Sequence, residues 1–163
     1  MNFAKTIISE LQQNLTEQKE SKAPGKNYTF TQTLRHINFE FVLKDFDSYS
    51  FLFEKVGVKL HETNLEALRK HADLIKERVT YLLENLENYE EDSVNEKIQL
   101  RSNLEDGTKS INYFEITLNK RGFVAIERFQ FDRKRNKREK VSFQLTVEVL
   151  EKLLNDFIEV MQN

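Results

Sequence analysis

The segment 63–86 carries a strict helical spacing of apolar residues. Steps of three and four residues place these side chains along one side of an α-helix of about six turns. Thr63 and Glu66 fit a capping box, in which each side chain accepts a hydrogen bond from the main-chain amide of the other residue. We therefore predict a long central helix over this segment, with sheet and further helices packed against it. Its apolar residues are Leu65, Leu68, Ala72, Ile75, Val79, Leu82 and Leu86.

Amphipathic helices are also predicted at both termini. Pro24 and Gly25 end the first helix and favour a turn within residues 21–27. Thr146 is a suitable N-cap for the last helix, whose apolar face is wide enough to cover a sheet. The apolar residues are Phe3, Ile7, Ile8, Leu11 and Leu15 in the first helix and Val149, Leu150, Leu153, Leu154, Phe157, Ile158 and Met161 in the last.

Between the first helix and the central helix, apolar and polar residues alternate, which indicates β-strands. The alternation changes phase near Arg35 and His36. Residues 28–43 therefore form either two strands joined by a tight turn or one strand with a bulge. A further strand is predicted over residues 51–60, where Gly57 allows a kink.

Four strands are predicted after the central helix, because short alternating segments are separated by turn residues. The strands are 97–104, 111–118, 123–131 and a fourth marked by Val141, Phe143 and Leu145. The turns between the first three are Glu105-Asp106-Gly107 and residues 119–122. Gly122 can take the positive φ that such a hairpin turn requires.

The predicted order is helix, two or three strands, helix, four strands, helix. It indicates the α+β class, with one or more antiparallel sheets, a long central helix and amphipathic helices at both termini. For 163 residues, one domain over residues 1–163 is the simplest organisation, and it can bury roughly 70% of its unfolded surface. A softer division near Asp92, ahead of the four-stranded half, is the alternative.

The composition excludes several classes of protein. A hydrophobic share of 39% and a net charge of -2 argue against disorder. The chain contains no cysteine, which excludes disulfides, thiolate nucleophiles and cysteine-based zinc sites and suits a reducing compartment. There is no secretory signal pattern and no apolar run of about eighteen residues, so we expect a cytoplasmic protein that does not enter a membrane.

The sequence contains no recognisable catalytic, cofactor or metal motif. His36, His61 and His71 have no acidic or histidine partner at the spacing of a helical metal site, and His71 is expected at the polar edge of the central helix. Glu115 and Glu127 fall on neighbouring predicted strands, as a glycosidase pair would, but glutamates on strand surfaces are far commoner. The sequence thus favours a protein without enzymatic activity, metal or cofactor.

The strongest charge feature is a basic stretch on a predicted hairpin, residues 120–140, with nine basic and three acidic residues and hence a net charge of +6. Clustered Lys and Arg beside Phe129 and Phe131 fit single-stranded nucleic acid, in which phosphates attract cations and bases stack on aromatic rings. The alternative is a soluble hairpin tip with both phenylalanines in the core. The candidate contacts for nucleic acid or an acidic partner are Lys120, Arg121, Arg128, Arg133, Lys134, Arg135, Lys137, Arg138 and Lys140.

An acidic stretch mirrors the basic one. Residues 84–96 contain six acidic residues and no Lys or Arg, which gives a net charge of -6. The two stretches can face each other within one chain, pair across a dimer, mark sites for different partners, or lie apart as solvated loops. Complementary charge affects the rate and specificity of association more than the stability of the fold.

Two functions from different classes follow from these features. The helical stripe, the wide face of the last helix and the opposite charges favour a dimeric protein-interaction or adaptor domain, although the stripe can equally pack on its own sheet. The whole order of elements resembles that of small dimeric secretion chaperones, which implies a protein partner. The strand-strand-strand-strand-helix order of the second half resembles single-strand-binding coactivator-type domains, which implies nucleic-acid binding through residues 120–140.

Overall fold

The computed structural model describes residues 2–82, 84–102 and 110–163. These residues form three helices and one nine-stranded antiparallel sheet, which confirms the predicted α+β class and the helices at both ends. The helices are α1 (Phe3–Ser21), α2 (Leu65–Arg78) and α3 (Val147–Gln162). The strands are β1 (Tyr28–Leu34), β2 (Ile37–Phe46), β3 (Ser50–Lys59), β4 (Leu86–Asp92), β5 (Lys97–Ser102), β6 (Ser110–Asn119), β7 (Phe123–Asp132), β8 (Lys137–Val141) and β9 (Phe143–Thr146).

The main path of the sheet is β1-β2-β3-β7-β6-β5-β4. Two meanders, β1 to β3 and β4 to β7, meet where residues 56–59 of β3 pair with residues 123–126 of β7. Beyond that short contact, the other half of β7 pairs with β8 and the other half of β3 pairs with β9. The sheet therefore forks at the junction of the two meanders.

The three helices pack on the sheet with α3 in the middle. It contacts β3, β9 and both other helices, while α1 lies on β1 and α2 lies on β4, β5 and β6. Beneath this layer, one cross-strand row runs through five fully buried side chains, each of which stabilises the fold by roughly 1.5–3 kcal/mol. The row consists of Phe41, Val56, Ile126, Ile116 and Leu100. We call this side of the sheet the helix face and the other side the open face.

Residues 28–43 form two strands, so the change of phase marks a tight turn. Arg35 and His36 both have positive φ, at 47° and 60°. Positive φ at both central residues is typical of a two-residue hairpin turn, whose twist matches the flanking strands. Leu34 therefore pairs with Ile37, and the register continues without interruption to Tyr28 and Leu43.

The prediction of the central helix was wrong at both ends. The N-cap is Asn64, whose side chain accepts a hydrogen bond from the Ala67 amide at 2.9 Å, so Thr63 does not form the predicted capping box. The helix has 14 residues and ends at Arg78, whereas α1 has 19 residues. The later stripe residues, Val79, Leu82 and Leu86, are buried outside the helix. Buried residues that follow the helix, the last of them at the start of β4, thus continued the helical spacing.

The apolar stripe of α2 packs against other residues of the same chain. Leu68, Ala72 and Ile75 are buried, and most apolar residues of α3 are buried as well. This supports the interpretation that the stripe packs on its own sheet. His71 is also buried, and its Nε2 lies 2.8 Å from the main-chain oxygen of Asn163, so its expected place at a polar edge was wrong.

The described residues contain more strands than predicted, with three before α2 and six after it. Part of the acidic stretch forms β4, where no strand was predicted, and the predicted last strand is divided between β8 and β9. The register irregularity of β3 lies opposite residues 42–45, away from Gly57. The predicted turn Glu105-Asp106-Gly107 and the strand end at Leu104 lie outside the described residues.

Gly122 occupies the predicted hairpin turn with a φ of +85°. Its backbone passes so close to the preceding chain that an added Cβ would lie 2.1 Å from the carbonyl oxygen of His61. Both the positive φ and the close approach require glycine. None of the described helices is long and apolar enough to cross a bilayer.

Candidate interaction surface

The basic stretch 120–140 is divided between the two ends of β7. Lys120 and Arg121 lie in the β6–β7 turn, and residues 133–136 form the β7–β8 turn. Because β7 has ten residues, about 30 Å of strand separates the two turns. The structure therefore does not gather the nine candidate contact residues into one patch.

Arg128 lies on the helix face, away from solvent. Its guanidinium donates a hydrogen bond to Glu84 at 3.3 Å and lies 4.3 Å from the centre of the Phe114 ring. The side chain is 16% exposed and that of Glu84 is 6% exposed. Arg128 thus holds the acidic stretch against the sheet, and phosphate groups in solution cannot reach it freely.

The open face carries a network of charges centred on Glu115. This carboxylate is 5% exposed and accepts hydrogen bonds from Arg101 at 3.1 Å and Arg138 at 3.2 Å. Glu127 lies directly opposite it on β7 and pairs with Lys140. The predicted proximity of the two glutamates is present, and each is bound to a cation, which is the arrangement of structural ion pairs.

Arginine side chains cover the aromatic rings on this face. Arg138 lies 3.6 Å from the centre of the Phe129 ring, and Tyr113 packs beside that ring with centroids 5.9 Å apart. Arg101 lies 3.4 Å from the Tyr89 ring and 4.7 Å from the Tyr113 ring. Phe129 is 7% exposed, so its faces are occupied by protein groups instead of being free to stack on a base.

Few cations of the basic stretch remain unpaired. Lys120 pairs weakly with Glu96 at 3.9 Å, and Arg135 pairs with Asp132 at 3.7 Å. Within the described ranges no ion pair involves Arg121, Lys134 or Lys137, all of which are exposed. Arg121 is at the opposite end of β7 from the two lysines. Arg133 has a partner of its own.

The acidic stretch meets the basic stretch within the chain. Glu84 pairs with Arg128, and Glu96 pairs with Lys120. Glu91 accepts two hydrogen bonds from Arg69 of α2, at 2.7 and 3.1 Å, and this contact lowers the pKa of the carboxyl. The acidic and basic stretches thus make two contacts within one chain. These contacts favour the arrangement in which the two stretches face each other over the other three.

Strands β4 and β8 have charged edges. β4 carries four acidic residues in seven and has a register irregularity between Asn88 and Glu90. β8 has the sequence KREKV. Charges and bulges on an edge strand oppose pairing with another chain. Edge protection is therefore a sufficient physical reason for much of the acidic and basic sequence.

β1 is an edge strand of a different kind. Its sequence, YTFTQTL, has no charged residue and no proline, and its seven consecutive pairs with β2 contain no bulge. Within the described part of the chain, β2 is its only strand partner. Thr29, Thr31 and Thr33 are exposed on the open face. β1 therefore lacks the features that protect β4 and β8.

The hairpin turn fixes which main-chain groups of β1 point outward. Leu34 and Ile37 flank a two-residue turn, so they form a hydrogen-bonded pair, and such pairs recur at every second position. The N–H and C=O groups of Thr29, Thr31 and Thr33 therefore point away from β2. The Gln18 side chain independently supports this phase, because its Nε2 donates to the outward carbonyl of Thr29 at 2.8 Å.

Beyond that contact, no hydrogen bond within the described ranges reaches the outward groups of Thr31 and Thr33. Exposed polar groups of this kind are hydrated in the free protein, and they can exchange water for an added strand. We define the β1 edge as the outward main-chain groups of Thr29, Thr31 and Thr33. This edge was not identified from the sequence, because the sequence of a strand does not show which strands lie beside it. The alternation of uncharged residues in β1 was nevertheless visible in the sequence.

The described surface has several partly open clefts. One of about 320 Å³ lies between α2 and β4, bordered by Arg69, Asp73, Tyr89 and Glu91. Among the described residues, no group of three histidines and carboxylates is arranged to hold a metal ion. In the cleft between α2 and β4, Arg69 and Glu91 bind each other, which is the arrangement of a structural ion pair.

Several titratable groups have shifted pKa values. Main-chain amides of Tyr49 and Ser50 lower the pKa of Asp47, and hydrogen bonds from Asn95 lower that of Asp92. Burial and a 2.7 Å hydrogen bond to Asp156 raise the pKa of Tyr81. Each shift has a local structural cause. Asp47 lies between β2 and β3, Tyr81 follows α2 and Asp92 ends β4. Glu91 and Arg69 lie together, and their pKa shifts arise from their own ion pair.

Comparisons of the chain with protein-family models, with curated proteins and with solved structures find no match.

Proposed function

We propose that this chain is a non-catalytic protein-interaction domain that binds an extended segment of polypeptide along the β1 edge. The observation that carries the proposal is the outward direction of the main-chain groups of Thr31 and Thr33 on an uncharged, regular edge strand. In strand addition, main-chain hydrogen bonds supply affinity and the alternate side chains supply specificity. An adaptor needs such a surface on a rigid body, and the nine-stranded sheet supplies one.

The two sides of the β1 edge offer an added strand different surroundings. On the helix face, Phe30 is buried and Leu34 is half-buried. On the open face, the exposed side chains are threonines. The added strand that fits best therefore alternates apolar residues, facing the helices, with small polar residues, facing solvent.

Nucleic-acid binding is less well supported as the alternative function. Arg128 is nearly buried, Arg138 and Lys140 pair with glutamates, and the face of Phe129 is covered. A phosphate-binding track needs several accessible cations in one place. The structure leaves Lys134 and Lys137 at one turn and Arg121 about 30 Å away.

The proposal can be tested with a pair of substitutions at one position. Thr31→Pro removes the outward N–H and leaves the pairing with β2, because Thr31 does not donate to β2; proline is tolerated at such edge positions. Phe30 is already extended, as a residue before proline should be. Thr31→Val is the matched control, because it changes the side chain and keeps the N–H.

The probe is a displayed library of random twelve-residue peptides, selected on wild-type protein. We expect the selected peptides to bind wild type and Thr31→Val and to lose at least tenfold in affinity for Thr31→Pro. Labelled single-stranded oligonucleotides are titrated in parallel at low and near-physiological salt. Peptides that bind Thr31→Pro as tightly as wild type, or a selection that enriches none, would overturn the proposal.

A further inference from the structure

We infer that the strand that fits the β1 edge is β1 of a second copy of this chain, paired antiparallel about a two-fold axis at Thr31. This inference rests on the proposed function and names the partner of the same surface. A two-fold interface uses the same patch on both subunits. The resulting dimer joins the two sheets into one continuous sheet through its uncharged edges.

The spacing of the outward groups fits this symmetry. Thr29 and Thr33 lie two residues to either side of Thr31, so a two-fold axis places Thr31 opposite Thr31 of the partner subunit. The same operation places Thr29 opposite the partner's Thr33. All three outward positions then form hydrogen-bonded pairs, as an antiparallel ladder requires. A shift of two residues would leave one of the three without a partner in each chain.

Charge favours β1 over β4, the strand at the other end of the main path, for self-association. No residue from Tyr28 to Leu34 is charged, so the symmetric register opposes no like charges. Pairing β4 with β4 of a second copy would bring two strands together that each carry Glu87, Glu90, Glu91 and Asp92. Like charges on directly opposed strand positions are destabilising. Of the two ends of the main path of the sheet, the β1 end is therefore suited to pairing with its own copy, and the β4 end repels it.

The helix face also continues across the two-fold axis. In the same register, Tyr28 lies opposite the partner's Leu34, at a non-hydrogen-bonded position with Cα atoms about 4.5 Å apart. Leu34 is only half-buried in the single chain, although it packs against the core. The partner's Tyr28 would lie beside Leu34 at this position. Such aromatic and aliphatic cross-strand pairs stabilise sheets.

One contact of the single chain competes with the dimer. Gln18 occupies the outward carbonyl of Thr29 at 2.8 Å, and its side chain also contacts Asn14 of the same helix. The amide of the partner's Thr33 needs that carbonyl. Release of Gln18 at each end of the ladder therefore accompanies dimer formation, and the association is of moderate strength.

Two double variants test the register directly. Thr29→Lys with Thr33→Glu is self-complementary, because each lysine faces a glutamate across the two-fold axis. Thr29→Lys with Thr33→Lys puts lysine opposite lysine at the same two positions. Both variants change exposed side chains on the open face, and circular dichroism with thermal melting checks that both are folded. The variant Ser93→Lys, which adds a lysine to the exposed turn after β4, is the control for added charge.

Sedimentation velocity over a concentration series up to about 1 mM, a range that detects weak association, gives the oligomeric state at low salt. We expect wild type, Ser93→Lys and the Lys/Glu variant to dimerise, and the Lys/Lys variant to dimerise at least tenfold more weakly. Monomeric wild type throughout, or equal dimerisation of the two double variants, would overturn the inference. If wild type is monomeric and Thr31→Pro still binds the selected peptides more weakly than wild type does, the proposed function stands and the dimer does not. If Thr31→Pro binds the peptides as tightly as wild type, the proposed function and the inferred dimer both fail.

Discussion

Proline substitutions at Thr31 and Gln32 are expected to have very different effects on stability, because neighbouring residues of β1 direct their N–H groups to opposite sides. The Thr31 amide points outward, so Thr31→Pro removes no hydrogen bond within the chain. The Gln32 amide points to β2 and pairs with Phe39. Gln32→Pro removes that ladder bond and leaves the Phe39 carbonyl without its partner.

The difference can be estimated from these contacts. Loss of a main-chain hydrogen bond removes about 0.5–1.5 kcal/mol, and the desolvated carbonyl left behind costs a further 1–3 kcal/mol or so. We therefore expect Gln32→Pro to lower the free energy of unfolding by about 2–4 kcal/mol. Thr31→Pro restricts φ, which is partly offset by the lower entropy of its unfolded chain, and should change the free energy by about 1 kcal/mol or less.

Urea unfolding followed by circular dichroism measures both variants against wild type. The comparison is made between midpoints, provided that the denaturant slope is the same for all three proteins. The protein concentration is kept low, so that any association does not add to stability. Equal losses for the two variants would contradict the described main-chain phase of β1, and a larger loss for Thr31→Pro would show that the phase is reversed.

Three further outcomes follow from local geometry. Gly122→Ala should lower the free energy of unfolding by about 2–4 kcal/mol, because its Cβ would meet the His61 carbonyl and its φ is positive; chemical denaturation measures the loss. The pKa of Asp47 is lowered in the fold, so the ionised carboxylate stabilises the protein fully at pH values above its unfolded pKa. In urea titrations, the difference in stability between wild type and Asp47→Asn should therefore shrink as the pH falls from about 5 to 2. A difference that stays constant over this range would contradict the argument. Gln18→Ala frees the Thr29 carbonyl and should tighten dimerisation about two- to fivefold in sedimentation experiments; weaker dimerisation would show that Gln18 supports the edge.

The parts of the fold that sequence predicts well are set by neighbouring residues. Thr146 caps α3 through its side chain, which accepts from the Val149 amide as expected for an N-cap. The irregularity at Arg35 and His36 was visible as a change of phase, since successive strand residues alternate between faces, although the pattern left a tight turn and a bulge as alternatives. In both cases the signal and the structure lie within a few residues of each other.

The central helix shows where local pattern fails. Val79, Leu82 and Leu86 continue the helical spacing and are buried, but the chain leaves the helix at Arg78 and enters β4. A buried position requires an apolar residue whatever its secondary structure. Spacing alone therefore could not distinguish a longer helix from a helix that ends early and is followed by a strand.

The candidate site depended on contacts between distant residues. The partner of Arg128 is Glu84, and the partners of Glu115 include Arg101 and Arg138. Composition counts charges without showing which of them are paired, so the basic stretch looked more available than it is. The position of β1 at the end of the sheet likewise follows from the order of all the strands, which no local signal contains.

Amide hydrogen exchange by NMR, measured at low and high protein concentration, tests the role of β1 most directly. The inward amides of Phe30, Gln32 and Leu34 should be protected at every concentration, because they pair with β2. The outward amides of Thr31 and Thr33 should exchange rapidly in dilute protein and become protected as concentration rises. Outward amides that exchange rapidly at all concentrations would contradict pairing with a second copy, and outward amides already protected in the dilute monomer would contradict an open edge at β1.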